Sequence, residues 1–144
     1  MGNTSEMSMD KIYTVDDYYD GPVSGVADLN GKPHYYECIF DEETDEYSKV
    51  YRLSPISENT LRLVQEQWDI WLRWNETFKD GKIKISTHPA LPEDEERCSE
   101  IEALTKKEKT TFGKNYSVML AEFVVPKVPG WASIWYVEWS SNIT

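Results

Sequence analysis

Residues Ser57 to Gly81, SENTLRLVQEQWDIWLRWNETFKDG, constrain the fold more than any other stretch, because they read as one helix carrying three of the six tryptophans. Ser57 suits an N-cap, since its hydroxyl can accept from the free amides of the first turn. Glu58 follows where the helix dipole favours negative charge. Asp80-Gly81 is a stop signal, with Lys79 and Lys82 flanking the negative pole. Between these ends Leu61, Val64, Trp68, Trp71, Leu72 and Phe78 keep close to one helical face. Leu63, Ile70 and Trp74 widen it. A stripe this broad requires burial on more than one side, under a sheet and against a second element. Arg62 with Glu66, and Asp69 with Arg73, are opposite charges four apart, which reads as ion pairing along the helix surface.

The chain before this helix reads as strands. Residues 1–10 are polar and expected to be mobile. Ile12 to Val15 suggests a short strand before a loop ending at Gly21-Pro22. Asn30-Gly31 is the clearest hairpin signal, since both residues tolerate the positive φ of a type I′ turn. It would join a strand over Ser24–Leu29 to one over Lys32–Phe40, with Pro33 marking an edge. Alternation places His34, Tyr36, Cys38 and Phe40 on one face and Tyr35, Glu37 and Ile39 on the other, so a sheet covered on both sides is expected. An acidic turn, Asp41 to Glu46, leads to a third strand over Tyr47–Leu53, and Pro55 ends it.

After Gly81, Lys82–Ser86 is a brief strand or a connection. Pro92 opens a second helix running to about Lys109, with Glu93, Asp94, Glu95 and Glu96 at its start and Lys106, Lys107 and Lys109 at its end, as the macrodipole favours. Its apolar stripe, Cys98, Ile101 and Leu104, is narrow, so this helix should lie peripherally along one seam. Gly113 releases the chain into a last hairpin, Tyr116–Val125 and Trp131–Trp139, joined by 126–130. Trp131, Ser133, Trp135, Val137 and Trp139 share one face. The expected fold is α+β, a single domain over 11–144 in the order β-β-β-α-α-β-β, with a mainly antiparallel sheet packed on the Trp-rich central helix plus a peripheral helix.

Charge narrows the partners. The 144 residues carry 26 acidic against 15 basic side chains, a net charge of -11. Such a field repels phosphates and anionic lipid, so neither nucleic acid nor membrane is expected as a partner, whereas a basic surface would be attracted. No run approaches the roughly twenty apolar residues of a membrane span. The first residues carry no secretory signal, and Glu6 breaks the myristoylation pattern after Gly2. A cytoplasmic setting is the expectation, with Cys38 and Cys98 as reduced packing residues. The sequons at Asn3, Asn75, Asn115 and Asn142 read as chance.

The stretch from Tyr18 to Pro92 resembles a group of small bacterial proteins with no assigned function. The resemblance rests on Tyr19-Asp20-Gly21-Pro22, Asn30-Gly31-Lys32-Pro33-His34-Tyr35, Ile39-Phe40-Asp41-Glu42 and Trp71-Leu72-Arg73-Trp74. It implies a bacterial, soluble, single-domain protein and carries over no catalytic residue.

Chemistry has little sequence support. Two histidines and two cysteines without C-x-x-C or H-E-x-x-H argue against a zinc site, and the acidic turn lacks the spacing of a calcium loop. His34 and Cys38, four residues apart on a strand, are separated by roughly 13 Å. There is no G-x-S-x-G elbow, P-loop or dinucleotide fingerprint. No metal, cofactor or catalytic residue is expected.

Binding is the more natural use of nine tyrosines and six tryptophans mixed with carboxylates. Aromatic rings anchor and acids steer a basic partner protein. The candidate surface is Asp16, Asp17, Tyr18, Tyr19 and Asp20 with Asp41, Glu42, Glu43, Asp45 and Glu46. A small acidic interaction module of this kind fits an inhibitor or immunity-type protein acting on a nucleic-acid-handling partner. The alternative is a small-molecule-binding domain or enzyme with a Tyr/Trp-lined pocket between sheet and central helix, built from His34, Tyr36, Cys38, Trp68 and Trp71. A third reading is a structural homodimer paired through the strand 131–139.

Overall fold

The computed structural model describes residues 9–19, 21–110, 116–124 and 135–141. Six strands, β1 (Met9–Tyr18), β2 (Pro22–Leu29), β3 (Lys32–Asp41), β4 (Glu46–Pro55), β5 (Ser117–Val124) and β6 (Trp135–Ser140), pair in sequence order and close into an antiparallel barrel. Two helices, α1 (Glu58–Lys79) and α2 (Glu95–Thr110), connect β4 to β5.

The closure corrects the expected architecture. The sheet does not lie open on the central helix; β1 pairs with β6, Ile12 opposite Trp135 and Met9 opposite Glu138, so the sheet covers its own apolar face. The order is β-β-β-β-α-α-β-β, because the short strand expected at Ile12–Val15 extends over ten residues and starts inside the segment expected to be mobile. Residues 113, 125–134 and the rest of the expected last hairpin's connection lie outside the described residues. Over Trp135–Ser140, β6 has a neighbour on each side, so the edge on which the homodimer reading relied is occupied.

The barrel interior is filled by rings. Tyr36, Tyr51, Phe123 and Trp139 come from four strands, and every pair among them is in contact, with centroids 5.5–6.3 Å apart. Ile12, Ala27, Leu29, Leu53 and Val137 pack around them. Their polar ends reach backbone oxygens: Tyr36 donates to Thr14 (3.0 Å) and the Trp139 indole to Asp28 (2.9 Å). Satisfied heads allow such amphipathic rings to be buried. Six strands enclose little more than a packed core, consistent with the way barrel diameter grows with strand number.

The inner and outer faces of β3 follow the expected alternation as far as Cys38; the register then slips, and Phe40, expected on the same face, is exposed. Tyr36 and Cys38 point inward, while Tyr35 lies outside under α1. The Asn30-Gly31 turn has positive φ at both residues (55° and 77°), and Asp10 of β1 accepts from both amides. Pro33 is not at a sheet edge. It stands at the first rungs of β3, opposite Asp28, where a missing amide costs least.

Helix α1 is built as its sequence implies. Ser57 accepts from the Thr60 amide (3.1 Å), and the far end closes through Gly81 (φ 72°), with Gly81 N–H on Phe78 O and Lys82 N–H on Thr77 O. These two bonds satisfy the last carbonyls. Leu61 and Val64 pack on Val26, Tyr13 and Tyr35 of the barrel wall, and Leu63 and Ile70 pack on Ala90, Cys98 and Ile101. The two buried sides demanded by the broad stripe are therefore the barrel and α2. The peripheral seam is Cys98, Ile101 and Thr105; Leu104, expected there, is exposed. The segment after Gly81 forms a single 3-10 turn, Ile85–Thr87, and Pro92–Asp94 forms another before α2.

The charges on α1 pair between elements rather than along the helix. Glu66 accepts a bidentate pair of bonds from Arg97 of α2 (2.6 and 2.8 Å), and Arg73 binds Asp94 (3.1 and 3.2 Å). A second helix offering a fork-shaped guanidinium at fixed distance competes well against a flexible neighbour four residues away. The Arg97 hydrogen bonds hold the Glu66 carboxyl below its ordinary range.

Candidate functional site

Two concave features flank the C-terminal end of β1. The first is at one end of the barrel. The β4–β5 pairing runs only from Leu53–Ser117 to Val50–Leu120. Beyond it the β3–β4 register slips between Cys38 and Phe40, so that Tyr51 faces Cys38 but Tyr47 faces Phe40. Ser48 fills this bulge, donating to Ile39 O (2.7 Å) and taking the Val50 amide (3.1 Å). A bulge bends its strand and raises local twist. Here β4 turns away from β5 and leaves an opening of about 840 Å3 whose lip includes Tyr19, Glu46, Tyr47, Lys49, Glu122 and Glu138. Cys38 and Phe123 lie at its floor.

This end gathers the two acidic segments that lie far apart in the chain. Tyr19 contacts Tyr47 (6.0 Å between centroids), and Tyr47 meets Phe40 edge-on (5.1 Å). All three rings are exposed, at 72%, 40% and 43%. Glu42, Glu43, Asp45 and Glu46 are exposed in the neighbouring turn, which Asp41 shapes by accepting from the Glu43 amide (2.9 Å). Asp17 is exposed and accepts from Ser24 (2.9 Å). Glu122 and Glu138 stand directly opposite each other across β5–β6. Like charges in that position oppose each other. Asp20 lies outside the described residues.

The second feature is a cleft of about 430 Å3 between the outer surface of β1 and the two helices. Trp68 and Trp71 form one wall, stacked at 5.0 Å and 21°. The Trp71 indole donates to His88 Nε2 (3.2 Å), which fixes the imidazole as an acceptor at that nitrogen. His88 in turn lies edge-on against Trp74 (4.7 Å), whose own N–H binds Thr87 (2.8 Å).

The structure divides the expected residues between these features. Asp17, Tyr19, Asp41, Glu42, Glu43, Asp45 and Glu46 belong to the barrel end, whereas Asp16 and Tyr18 line the cleft. The expected pocket set does not form one pocket. Trp68 and Trp71 line the cleft, but Tyr36 is fully buried inside the barrel and Cys38 faces the barrel-end opening. His34 sits apart, its Nδ1 against Lys32 O (2.8 Å). Alternation put His34, Tyr36 and Cys38 on one face, but Tyr36 and Cys38 belong to the interior of a closed barrel, whereas α1 packs on Val26, Tyr13 and Tyr35 outside it. Burial pushes the Cys38 thiol up, and its Sγ donates to Ser48 O (3.1 Å), so it is a packing residue rather than a thiolate.

His88, Gln67, Cys98 and Glu102 are among the cleft residues that the sequence did not point to. His88 lies 17 positions beyond Trp71, and only the turn over Ile85–Thr87 returns it to the helix. Among the described residues no helix is long and apolar enough to cross a membrane, and no three His, Cys, Asp or Glu side chains are placed to share a metal ion. Compared with protein-family models, curated proteins and solved structures, the chain has no match.

Proposed function

We propose that this protein is a small acidic interaction module that docks a basic partner protein through the open end of its barrel, in the manner of an inhibitor or immunity-type protein. The supporting observation is the contact between Tyr19 and Tyr47, which joins two segments about thirty residues apart into one exposed aromatic patch ringed by carboxylates. Exposed apolar patches rimmed by polar groups mark interaction surfaces. Tyrosines are efficient anchors because they bury much area for little lost rotational freedom. The surrounding acids accelerate encounter with a basic surface and disfavour acidic ones. The opposed Glu122 and Glu138 add to the same field.

The test is capture from native lysate with tagged full-length chain, at low and high salt, comparing four proteins. These are the wild type, an aromatic variant (Tyr19→Ser with Tyr47→Ser), a charge reversal (Glu42, Glu43 and Glu46 to Lys), and a control reversal of Glu93, Glu95 and Glu96 on the α2 side. The expected result is one basic partner held by wild type and control, weakened by salt, and lost by tenfold or more in both barrel-end variants. Equal retention by all four, or equal loss in the control, would overturn the proposal.

A further inference from the structure

Given the docking surface proposed above, on which this rests, we infer that the partner binds by strand addition. An extended segment of it, with apolar and basic residues alternating, pairs with β5 over residues 121–124 in the place that β4 vacates. The two strands are paired only from Leu53–Ser117 to Val50–Leu120. Beyond Leu120 they keep their other neighbours and lose each other. β5 stays on β6 as far as Val124 opposite Tyr136, and β4 returns to β3 at Tyr47 opposite Phe40. Residues 46–49 and 120–123 then line two sides of the opening of about 840 Å3. A strand paired on one side turns alternate N–H and C=O groups to the other, and such an edge is a template for an added strand. Over 121–124 that edge of β5 has no partner among the described residues. Four residues span roughly 13 Å, enough for a short ladder.

Of the two sides, β5 offers the regular edge. Its register with β6 is continuous from Leu120 to Val124. On the β4 side the bulge intervenes, the Ser48 hydroxyl already takes the Val50 amide, and Lys49 stands on the lip. Alternation along β5 then sets the pattern of the incoming segment. Ala121 and Phe123 pack on the barrel core, whereas Glu122 and Val124 are exposed. Cross-strand neighbours share a face. Residues that follow Ala121 and Phe123 therefore lie over a floor that includes Cys38, and are apolar. Those that follow Glu122 are basic, in keeping with the acidic surroundings.

Capped hexapeptides test this on the intact 15N-labelled chain. One alternates lysine and valine, a second holds the same residues in two blocks, and a third alternates glutamate and valine. The fourth is the first with every amide N-methylated, so that it keeps its side chains but cannot donate. In the free chain, alternate amides of 121–124 should exchange rapidly with solvent. The first peptide should slow them and move their resonances saturably, at least tenfold tighter than the other three. Glu122→Lys should weaken it threefold or more and leave unchanged the Trp139 indole, which is bonded to Asp28 O within the barrel. Protection of these amides in the free chain, by its own segment or by a second copy, would overturn the inference. So would equal binding of the methylated peptide, or indifference to Glu122→Lys. If the peptides fail while the barrel-end variants still lose the captured partner, strand addition alone is removed; equal capture by all four proteins removes both readings.

Discussion

Asp28 sits where burial works against its charge. Tyr13 donates to its Oδ2 (3.1 Å), but Oδ1 is buried without a hydrogen-bond partner among the described residues. Desolvation, the largest cause, raises the carboxyl above its ordinary range despite the Tyr13 bond, and the same burial pushes Tyr13 up to about 12. A carboxyl whose folded pKa is raised favours folding below its unfolded value, and that contribution is lost as pH rises through the folded value. At neutral pH the ionised group therefore opposes folding. Asp28→Asn should raise the Tm at pH 7, and the gain should shrink as pH falls into the carboxylate range; a lower Tm at pH 7 would contradict this. Gly25 is constrained by space instead. A Cβ there would lie 2.3 Å from Thr14 O and 2.8 Å from the Tyr36 hydroxyl, in the middle of the β1–β2 ladder. The backbone oxygen cannot swing aside, so Gly25→Ala should cost about 1–3 kcal/mol, read from denaturant midpoints. Nothing in the sequence around Gly25 signals this, because the clash involves β1 and β3 rather than its neighbours.

At the scale of elements, what was legible was local. Ser57 and Gly81 bound α1 through contacts within a few residues, and Asn30-Gly31 forms its own turn. What was not legible depended on distant partners. Glu108, on the last turns of α2, accepts from the Ser57 amide (2.8 Å) and from the Thr60 hydroxyl (2.5 Å), so α2 completes the N-terminal cap of α1 across 51 positions. Its negative charge also complements the α1 dipole. Ser57→Ala should lower stability by about 1 kcal/mol. Glu108→Gln should lower it as well, and the double variant should lose less than the sum of the two, since both act on one network. Strictly additive losses would show that the two caps act independently. Barrel closure was hidden for the same reason. Alternation in β6 identifies Trp135, Val137 and Trp139 as one apolar face, but an open sheet under a helix would show the same pattern. Only the pairing of Ile12 with Trp135, 123 positions apart, distinguishes the two. Placing the helix against a second surface was correct; taking that surface for the main core was not, because the rings of four strands already fill the interior of the barrel.

The whole molecule separates its tasks by location. The interior is closed by aromatic packing, the helices brace one side of the wall, and the bulge at Ser48 opens the other end. The net charge of -11 is spread over much of the surface, but the exposed rings of Tyr19, Phe40 and Tyr47 are gathered where β1 and β3 end and β4 begins. That coincidence of anchors and acids distinguishes the barrel end from the equally acidic start of α2. Hydrogen exchange on the protein alone and bound to its captured partner would test the docking surface most directly. Slower exchange at 17–19, 40–49 and 120–123, with α1 and α2 unchanged, is the outcome expected. Protection confined to α1 and α2, with the barrel end exchanging as in the free protein, would contradict it.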